Sequence, residues 1–257
     1  MSPAYPRELR RAFEDAEVVR NYRYRQPYPA QIFEILEGLL VEPLTVLDAG
    51  SGTGALTIGL AQFAERVDAV DPSVAMLREA RGLPGGNSRR IRWIEGTAEH
   101  APLDAPYGLV TAGASIHWMD PEVVMPRFRD ALAPGGLLAI VNSESTYAEQ
   151  KWRGEFIDLI RAFSPISHHL EFADLVRSLE ASGHFTRVGE RTAAPVPYEQ
   201  SIDDYVAMLG STSSLSRTTL GTRADDFERG ARALFARHAL TSIRANLVAE
   251  AVWGRPQ

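Results

Sequence analysis

The stretch Val46-Leu47-Asp48-Ala49-Gly50-Ser51-Gly52-Thr53-Gly54 leads from a short apolar segment into glycines at every second position. Residues 44–49 (LTVLDA) have the composition of a buried strand, and residues 55–64 (ALTIGLAQFA) that of a helix. Glycines let the backbone turn sharply and approach a ligand closely, and the following helix exposes N–H donors at its start. The stretch therefore predicts a ligand-binding turn between a strand and a helix.

The same alternation of short apolar strands and helices continues along the chain. The predicted strands are 44–49, 67–70, 91–95, 108–112, 137–141, 185–191 and 242–253. The predicted helices are 7–20, 30–40, 55–64, 73–81, 121–132, 149–163, 171–181, 202–209 and 224–239. Strands separated by helices imply right-handed crossovers and a mainly parallel sheet covered on both faces. We predict an α/β fold with a Rossmann-like, doubly wound, seven-stranded and mostly parallel sheet and a small helical lid.

The order of these elements also predicts how the chain is divided. Residues 1–43 would form an N-terminal helical arm, and residues 44–198 the ligand-binding α/β core. Residues 199–240 would form the helical lid, and residues 241–257 the final strand that returns to the sheet.

Composition narrows the class of protein. The 257 residues carry 27 Lys and Arg against 33 Asp and Glu, a net charge of −6 that repels phosphate backbones and disfavours a nucleic-acid partner. No apolar run approaches the roughly 18 residues of a membrane span, and residues 1–11 lack the apolar core of a secretory signal. The absence of cysteine excludes disulfides and cysteine nucleophiles. A cytoplasmic enzyme without a membrane partner is predicted.

Acidic residues at the strand ends help to identify the ligand of the glycine turn. Asp71 ends the second strand, about twenty residues after Gly50, where a carboxylate can accept both hydroxyls of a ribose. The turn also fits the dinucleotide pattern G-x-G-x-x-A, so the loop alone leaves a nicotinamide cofactor open. Asp48, just before the turn, would repel a pyrophosphate but suit an ammonium group, and Glu99 could meet an adenine amine.

Several segments together resemble the small-molecule branch of the class I S-adenosylmethionine-dependent methyltransferases. They are VLDAGSGTGALTIGLA (46–61), VDAVDPSVAML (67–77), WIEGTAEHAPL (93–103), GASIHWMD (113–120) and LAPGGLLAIV (132–141). The resemblance implies S-adenosylmethionine as cofactor, S-adenosylhomocysteine as product and a final strand antiparallel to its neighbour near the edge of the sheet. It also implies transfer of a methyl group to oxygen, nitrogen or carbon of a small metabolite. The apolar positions of the predicted lid suggest that this metabolite is partly apolar and belongs to secondary metabolism.

The resemblance also implies residue roles. Asp48, Gly50 and Gly52 would hold the methionine end of the cofactor, Asp71 its ribose, and Met76 would pack on the adenine. Arg25 could pair with the cofactor carboxylate. The complete predicted cofactor-binding set is Arg25, Asp48, Gly50, Ser51, Gly52, Asp71, Met76, Thr97, Ala98, Glu99 and Ser115. Many relatives carry Asp where Thr97 stands, so adenine recognition is expected to shift to Glu99. Many also begin the fourth strand with Asp where this chain has Gly108.

Methyl transfer from a sulfonium mainly needs alignment of the acceptor with the methyl group, and a base only where the acceptor starts protonated. His117 is the candidate base, although the reading in which His117 and Trp118 pack the lid is favoured. The predicted substrate-binding residues are Tyr28, His117, Trp118, Tyr147 and Trp152, the last two being equally consistent with helix packing. Residues 211–216 (STSSLS) are expected to be a solvated loop.

Other functions stay open on the sequence alone. The chain could bind S-adenosylmethionine without methylating, or could be an NAD(P)-dependent oxidoreductase. An RNA methyltransferase is disfavoured by the acidic balance and by the lack of an Asn-Pro-Pro-Tyr-type motif. No metal is predicted, because the adjacent His168 and His169 cannot face one ion from a helix. The apolar and aromatic arm could support a homo-oligomer.

Overall fold

Eight strands form the central sheet of the computed structural model, which describes residues 7–147, 150–166 and 171–257. They are β1 Thr45–Ala49, β2 Arg66–Asp71, β3 Ile91–Glu95, β4 Tyr107–Gly113, β5 Leu132–Thr146, β6 Phe185–Thr192, β7 Val196–Ser201 and β8 Ser242–Pro256. Their order is β3-β2-β1-β4-β5-β8-β6, with β7 also paired to β8. The predicted fold class is confirmed, with one strand more than predicted.

The first five strands are parallel to one another. Every residue of β1 is buried, because apolar side chains on both of its faces meet covering helices. The chain winds outward from β1 in both directions, first to β2 and β3, and then back to β4 and β5 on the other side. This reversal places a crevice at the carboxyl ends of β1 and β4, where ligands bind in such sheets.

The last strand, β8, lies antiparallel between β5 on one side and β6 and β7 on the other. This placement confirms the antiparallel return that the resemblance implied. The missed strand is β7, whose sequence VPYEQS is short, mostly polar and interrupted by Pro197. Proline is tolerated in strands at a sheet edge, and β7 lies at an edge, since its sole strand partner among the described residues is β8. It also crosses the predicted boundary between residues 198 and 199.

Ten α-helices surround the sheet in the described part of the chain. They are α1 Ala16–Asn21, α2 Ala30–Glu37, α3 Thr57–Leu60, α4 Val74–Gly82, α5 Pro121–Ala131, α6 Trp152–Phe163, α7 Phe172–Ala181, α8 Ile202–Gly210, α9 Arg217–Leu220 and α10 Ala224–Arg237. The first predicted helix is instead a 3-10 segment, Arg7–Glu14, followed by α1, which Asp15 caps. The helix after the glycine turn is reduced to α3, where Gly54 and Gly59 lower the helical propensity.

Three large apolar clusters hold these layers together. One face of the sheet packs against α5 and α7, and the opposite face against α2 and α3. The third cluster joins α8, α9 and α10 to α6 through aromatic side chains, namely Trp152, Phe156, Tyr205, Phe227 and Phe235. Helix α6 thus packs with the segment predicted as the lid. None of the helices described is both long and apolar enough to span a bilayer.

Candidate active site

A cavity of about 820 Å³ opens at the carboxyl ends of β1, β2 and β4. Its volume falls within the roughly 300–1,000 Å³ typical of small-molecule sites. The walls come from the glycine turn after β1, the end of β2, residues 97–99, residues 113–115, Trp118, Met119 and the N-terminal arm. The site therefore lies where the crevice rule predicts it.

The glycine turn is fixed by backbone hydrogen bonds and by close packing. The N–H groups of Gly50 and Ser51 donate to the carbonyl oxygen of Val70 over 2.8 and 3.0 Å. Gly50 has φ of +73°, and a Cβ atom there would lie 2.5 Å from the Cβ of Ser115. Ser115 in turn donates its hydroxyl to the Ala49 carbonyl over 2.6 Å. Only glycine meets both the backbone and the space requirements at position 50.

Asp71 links the end of β2 to this turn. One carboxylate oxygen accepts from the Gly52 N–H over 2.8 Å, and the other accepts from the Ser73 N–H over 2.8 Å. Burial raises the pKa of Asp71, although these two N–H bonds oppose the shift. The carboxylate lines the cavity in a fixed orientation, with lone pairs remaining for a ligand.

Asp48 lies behind the turn and is not among the described residues that line the cavity. Its two oxygens accept from the hydroxyls of Thr57 over 2.5 Å and Thr111 over 2.9 Å. Burial raises the pKa of this carboxyl to about 6. Its predicted direct contact with an ammonium group stays a prediction, and from this position its charge would act on the cavity through the loop. Thr57 and Thr111, which hold this carboxylate, are not among the residues predicted from the sequence.

The residues predicted for adenine lie on one wall of the cavity, namely Met76, Thr97, Ala98 and Glu99. The Thr97 hydroxyl is within 3.1 Å of Nδ1 of His100. Glu99 accepts from the Asp120 N–H over 3.0 Å, a bond that orients its carboxylate. This arrangement is compatible with the expected shift of adenine recognition to Glu99.

An aromatic layer from the arm and the loop after β4 forms part of the cavity wall. Phe13 meets Trp118 edge-to-face at 5.5 Å and Tyr22 at 6.3 Å between ring centroids. Ser73 donates its hydroxyl to the Phe13 carbonyl over 2.7 Å, which ties the arm to the start of α4. Apolar and aromatic groups in this wall limit the access of water to the site.

Arg25 and Tyr28 line the cavity, as predicted, whereas no described residue of 199–240 does. Arg25 stacks over the Tyr22 ring at 4.3 Å and donates two hydrogen bonds to Ser211. Ser211 and Ser216 are fully buried, so the prediction of a solvated loop at 211–216 was wrong. The hydroxyl-rich sequence concealed this because each buried serine finds a partner, Ser211 with Arg25 and Ser216 with Thr219.

Three predicted substrate-binding residues lie outside the described lining of the cavity. Tyr147 and Trp152 belong to the third cluster, their rings 6.0 Å apart, and Trp152 also lies 5.6 Å from Phe235. The His117 ring lies 5.1 Å from that of Trp118 in a short 3-10 turn. These placements agree with the packing alternatives; the catalytic and substrate roles stay predictions. His168 and His169 lie outside the described residues.

Several residues that line the cavity are absent from the set predicted from the sequence, among them Phe13, Tyr22, Met119 and Ser143. Tyr22 stands in the aromatic and arginine-rich segment NYRYRQPYP, and Met119 in the segment GASIHWMD, so both carried a local signal. Phe13 has the helical spacing of a core residue, and its exposure to the cavity depends on how the arm folds back.

The lining offers complementary groups for a ligand that carries both charges. Buried and without a hydrogen-bond partner in the structure, the Ser51 hydroxyl is available to a ligand polar group. At Gly52 a Cβ atom would have no neighbour closer than 4.0 Å, so this side of the turn is open. Arg25 supplies a cation, and Asp71 and Glu99 supply acceptors. A nucleoside bearing an amino acid matches these groups.

Known methyltransferases are similar to this chain in sequence and in structure. A family model described as a methyltransferase domain matches residues 46–136. An uncharacterized methyltransferase of Mycobacterium tuberculosis is 37% identical over 121 residues, 46% of this chain and 47% of that protein. The chain thus spans about half the length of that relative.

A longer match joins the chain to a malonyl-[acyl-carrier protein] O-methyltransferase of Geobacter sulfurreducens. It is 28% identical over 211 residues, which cover 75% of this chain and 79% of the relative. The solved structure of a candidate type II methyltransferase from Anaeromyxobacter dehalogenans is 26% identical with a TM-score of 0.67. That similarity covers 91% of this chain and 99% of the solved chain.

Proposed function

We propose that the chain is a class I S-adenosylmethionine-dependent methyltransferase, that its cavity binds S-adenosylmethionine and that it methylates a small-molecule acceptor. S-adenosylhomocysteine would be the second product. The observation that carries the proposal is the hydrogen bond from the Gly52 N–H to the Asp71 carboxylate, which joins the glycine turn to the end of β2. A ribose diol and an amino acid can be bound side by side at such a junction.

The residues present fit this cofactor. The Ser51 hydroxyl, buried without a protein partner, and the open side of Gly52 would receive the methionine portion. Asp71 would accept the ribose hydroxyls, Glu99 would accept the adenine amine, and Arg25 would pair with the carboxylate. When bound, the cofactor supplies an activated methyl group on a sulfonium.

The task of the protein is then mainly positional. Effective alignment of two reactants is worth on the order of 7–11 kcal/mol of activation free energy. The aromatic layer of Phe13, Tyr22 and Trp118 would exclude water from the reacting groups. No histidine or lysine stands among the described residues that line the cavity. An acceptor that is already ionised, such as a carboxylate, would need no base.

We therefore place a carboxylate oxygen first among acceptors, ahead of nitrogen and carbon. Besides Arg25, which is assigned to the cofactor, Arg10 and Arg23 line the cavity and would pair with an anionic acceptor. The Geobacter relative is a malonyl-[acyl-carrier protein] O-methyltransferase, which supports this order. Phe13, Trp118 and Met119 would accommodate a partly apolar body. We further propose a cytoplasmic location, a role in secondary metabolism, and no nucleic-acid or membrane partner.

The direct test combines the purified chain with S-adenosylmethionine and a panel of small carboxylic acids. Formation of S-adenosylhomocysteine in proportion to a methyl ester is the expected result. Binding of the cofactor without turnover on any acceptor would favour a protein that binds S-adenosylmethionine and does not methylate.

Asp71→Ala tests the site assignment in the same preparation. Loss of the ribose acceptor is expected to weaken S-adenosylhomocysteine binding by at least about tenfold, as for other hydrogen bonds to charged groups. The exposed Asp130→Ala variant is the control and should bind as the wild type does. Equal affinities for Asp71→Ala and wild type would refute the placement of the ribose.

A further inference from the structure

Arg25, which lines the cavity, is hydrogen-bonded to the segment predicted as the lid, residues 199–240. The Nε atom of Arg25 donates to the Ser211 hydroxyl over 2.9 Å, and Nη2 donates to the Ser211 carbonyl over 2.9 Å. Ser211 is fully buried and follows α8 directly as its C-cap residue. Arg25 therefore belongs to the cavity wall at one end and to the lid at the other.

Three features fix the direction of this guanidinium. The C-terminal end of α8 carries partial negative charge, which attracts a cation. The Tyr22 ring covers one face of the guanidinium at 4.3 Å. The Ser211 hydroxyl is itself oriented, because it donates to the Met208 carbonyl over 2.7 Å while it accepts from Arg25. In the described part of the chain, Nη1 of Arg25 has no hydrogen-bond partner and remains for a ligand.

A second bond anchors the arm to the lid beside this one. Gln200, only 6% exposed at the end of β7, donates from Nε2 to the Tyr24 carbonyl over 2.7 Å. The backbone of the arm is thus held one residue before Arg25. With the backbone held by Gln200 and the side chain by Ser211, little conformational freedom of Arg25 is left to be lost on binding.

We infer that Ser211 is a positioning residue, which sets Arg25 in place to bind the carboxylate of the cofactor amino acid. The inference rests on the proposed function, since it needs a cofactor that bears a carboxylate. The lid would then control cofactor affinity through the arm without touching the cofactor itself.

Calorimetric titration of the full chain with two ligands tests this role. S-adenosylhomocysteine carries the amino-acid carboxylate, and 5′-methylthioadenosine has the same nucleoside without it. For Ser211→Ala we expect S-adenosylhomocysteine affinity to fall by about fivefold to tenfold, as for loss of one charge-assisted bond. Affinity for 5′-methylthioadenosine should stay within about twofold of wild type, which a general loss of structure would not allow.

Two neighbouring variants sharpen the comparison. Thr212→Val removes a similar hydroxyl bond, from Thr212 to the Leu209 carbonyl, without touching Arg25, and should leave both affinities unchanged. Ser211→Thr keeps the hydroxyl and should restore most of the S-adenosylhomocysteine affinity. Equal losses for both ligands in Ser211→Ala would overturn the inference.

A double-mutant cycle completes the test. Arg25→Ala should show the same ligand-selective loss, and Ser211→Ala should add nothing to it in the double variant. Additive losses would contradict action through Arg25. If the wild type binds neither ligand, the proposed function fails; if it binds both and Ser211→Ala binds both equally well, only this inference fails.

Discussion

Asp48 is a buried carboxyl whose charge costs folding free energy. Burial raises its pKa from the ordinary 3.8 to about 6, and the hydroxyls of Thr57 and Thr111 only partly oppose the shift. A carboxyl with a raised pKa contributes stability while it is protonated. That contribution is complete below about pH 3.8 and is lost as the pH rises through about 6. At neutral pH the folded chain therefore retains a costly negative charge directly behind its glycine turn.

Asp48→Asn should separate folding from ligand binding. Because about 1.4 kcal/mol corresponds to each pKa unit, the variant should gain up to about 3 kcal/mol of unfolding free energy at pH 8. The gain should shrink at pH 5, where the wild-type carboxyl is largely protonated. Affinity for S-adenosylhomocysteine at pH 8 should fall, because the amide has no charge to attract an ammonium group. Urea unfolding and calorimetry at both pH values measure these effects.

Two results would contradict this account of Asp48. One is a loss of stability in Asp48→Asn that is the same at pH 5 and pH 8. The other is unchanged affinity for the ligand across that range, which would mean that the carboxyl serves only to hold the turn through Thr57 and Thr111.

For single residues, the spacing of motifs along the sequence predicted the positions of those that lie at the ends of strands. Gly50, Gly52 and Asp71 could be placed because the ends of neighbouring parallel strands meet at one edge of the sheet. The positions of Tyr147 and Trp152 could not be derived, since an aromatic side chain fits an apolar cluster and a substrate pocket equally well. Their location depends on how α6 packs on α10, which no local pattern specifies.

Among the elements, the arm depends on a cap that is shared with the lid. Asp15 accepts from the Glu17 and Val18 N–H groups at the start of α1, and it also accepts from the Thr218 hydroxyl in α9. The Thr218 hydroxyl is the main cause of the lowered pKa of Asp15. One side chain thus begins a helix and joins two segments that are distant in sequence.

Asp15→Ala should destabilise the chain by about 1 kcal/mol, the usual cost of losing an N-cap. Because the pKa of Asp15 is lowered, its contribution is present at neutral pH and is lost as the pH falls through its folded pKa. The difference from wild type should therefore narrow in acid. Thermal unfolding at pH 7 and pH 3 measures this effect. Asp225→Ala, which removes an exposed ion pair with Arg217, is the control and should change little.

Helices and strands could be predicted where the pattern of apolar residues in the sequence fits a single type of element. The short apolar strands β1, β2 and β4 stood out because both of their faces are buried. The edge strand β7 has no such apolar pattern, because most of its residues are exposed to solvent and Pro197 lies within it. The helix after the glycine turn was overestimated, since helical spacing alone does not register the low helical propensity of Gly59.

For the whole molecule, ligand binding should be visible as increased thermal stability. A ligand at one hundred times its Kd adds about 2.7 kcal/mol to the free energy of unfolding. For a chain of this size each kcal/mol raises Tm by roughly 2–4 °C, so S-adenosylhomocysteine should raise it by about 5–10 °C. NADH at the same concentration is the control for a nicotinamide enzyme and should leave Tm unchanged. A rise with NADH alone would favour the oxidoreductase reading.

The position of β8 between β5 and the strands β6 and β7 has a consequence for synthesis of the chain. In the described residues, β6 and β7 have no strand partner other than β8, which occupies Ser242–Pro256. During translation, at roughly 5–20 residues per second, residues 185–201 must therefore wait seconds for the strand that completes their pairing. Over that interval the nascent polypeptide exposes an open β-edge beside β5, the kind of surface that chaperones protect.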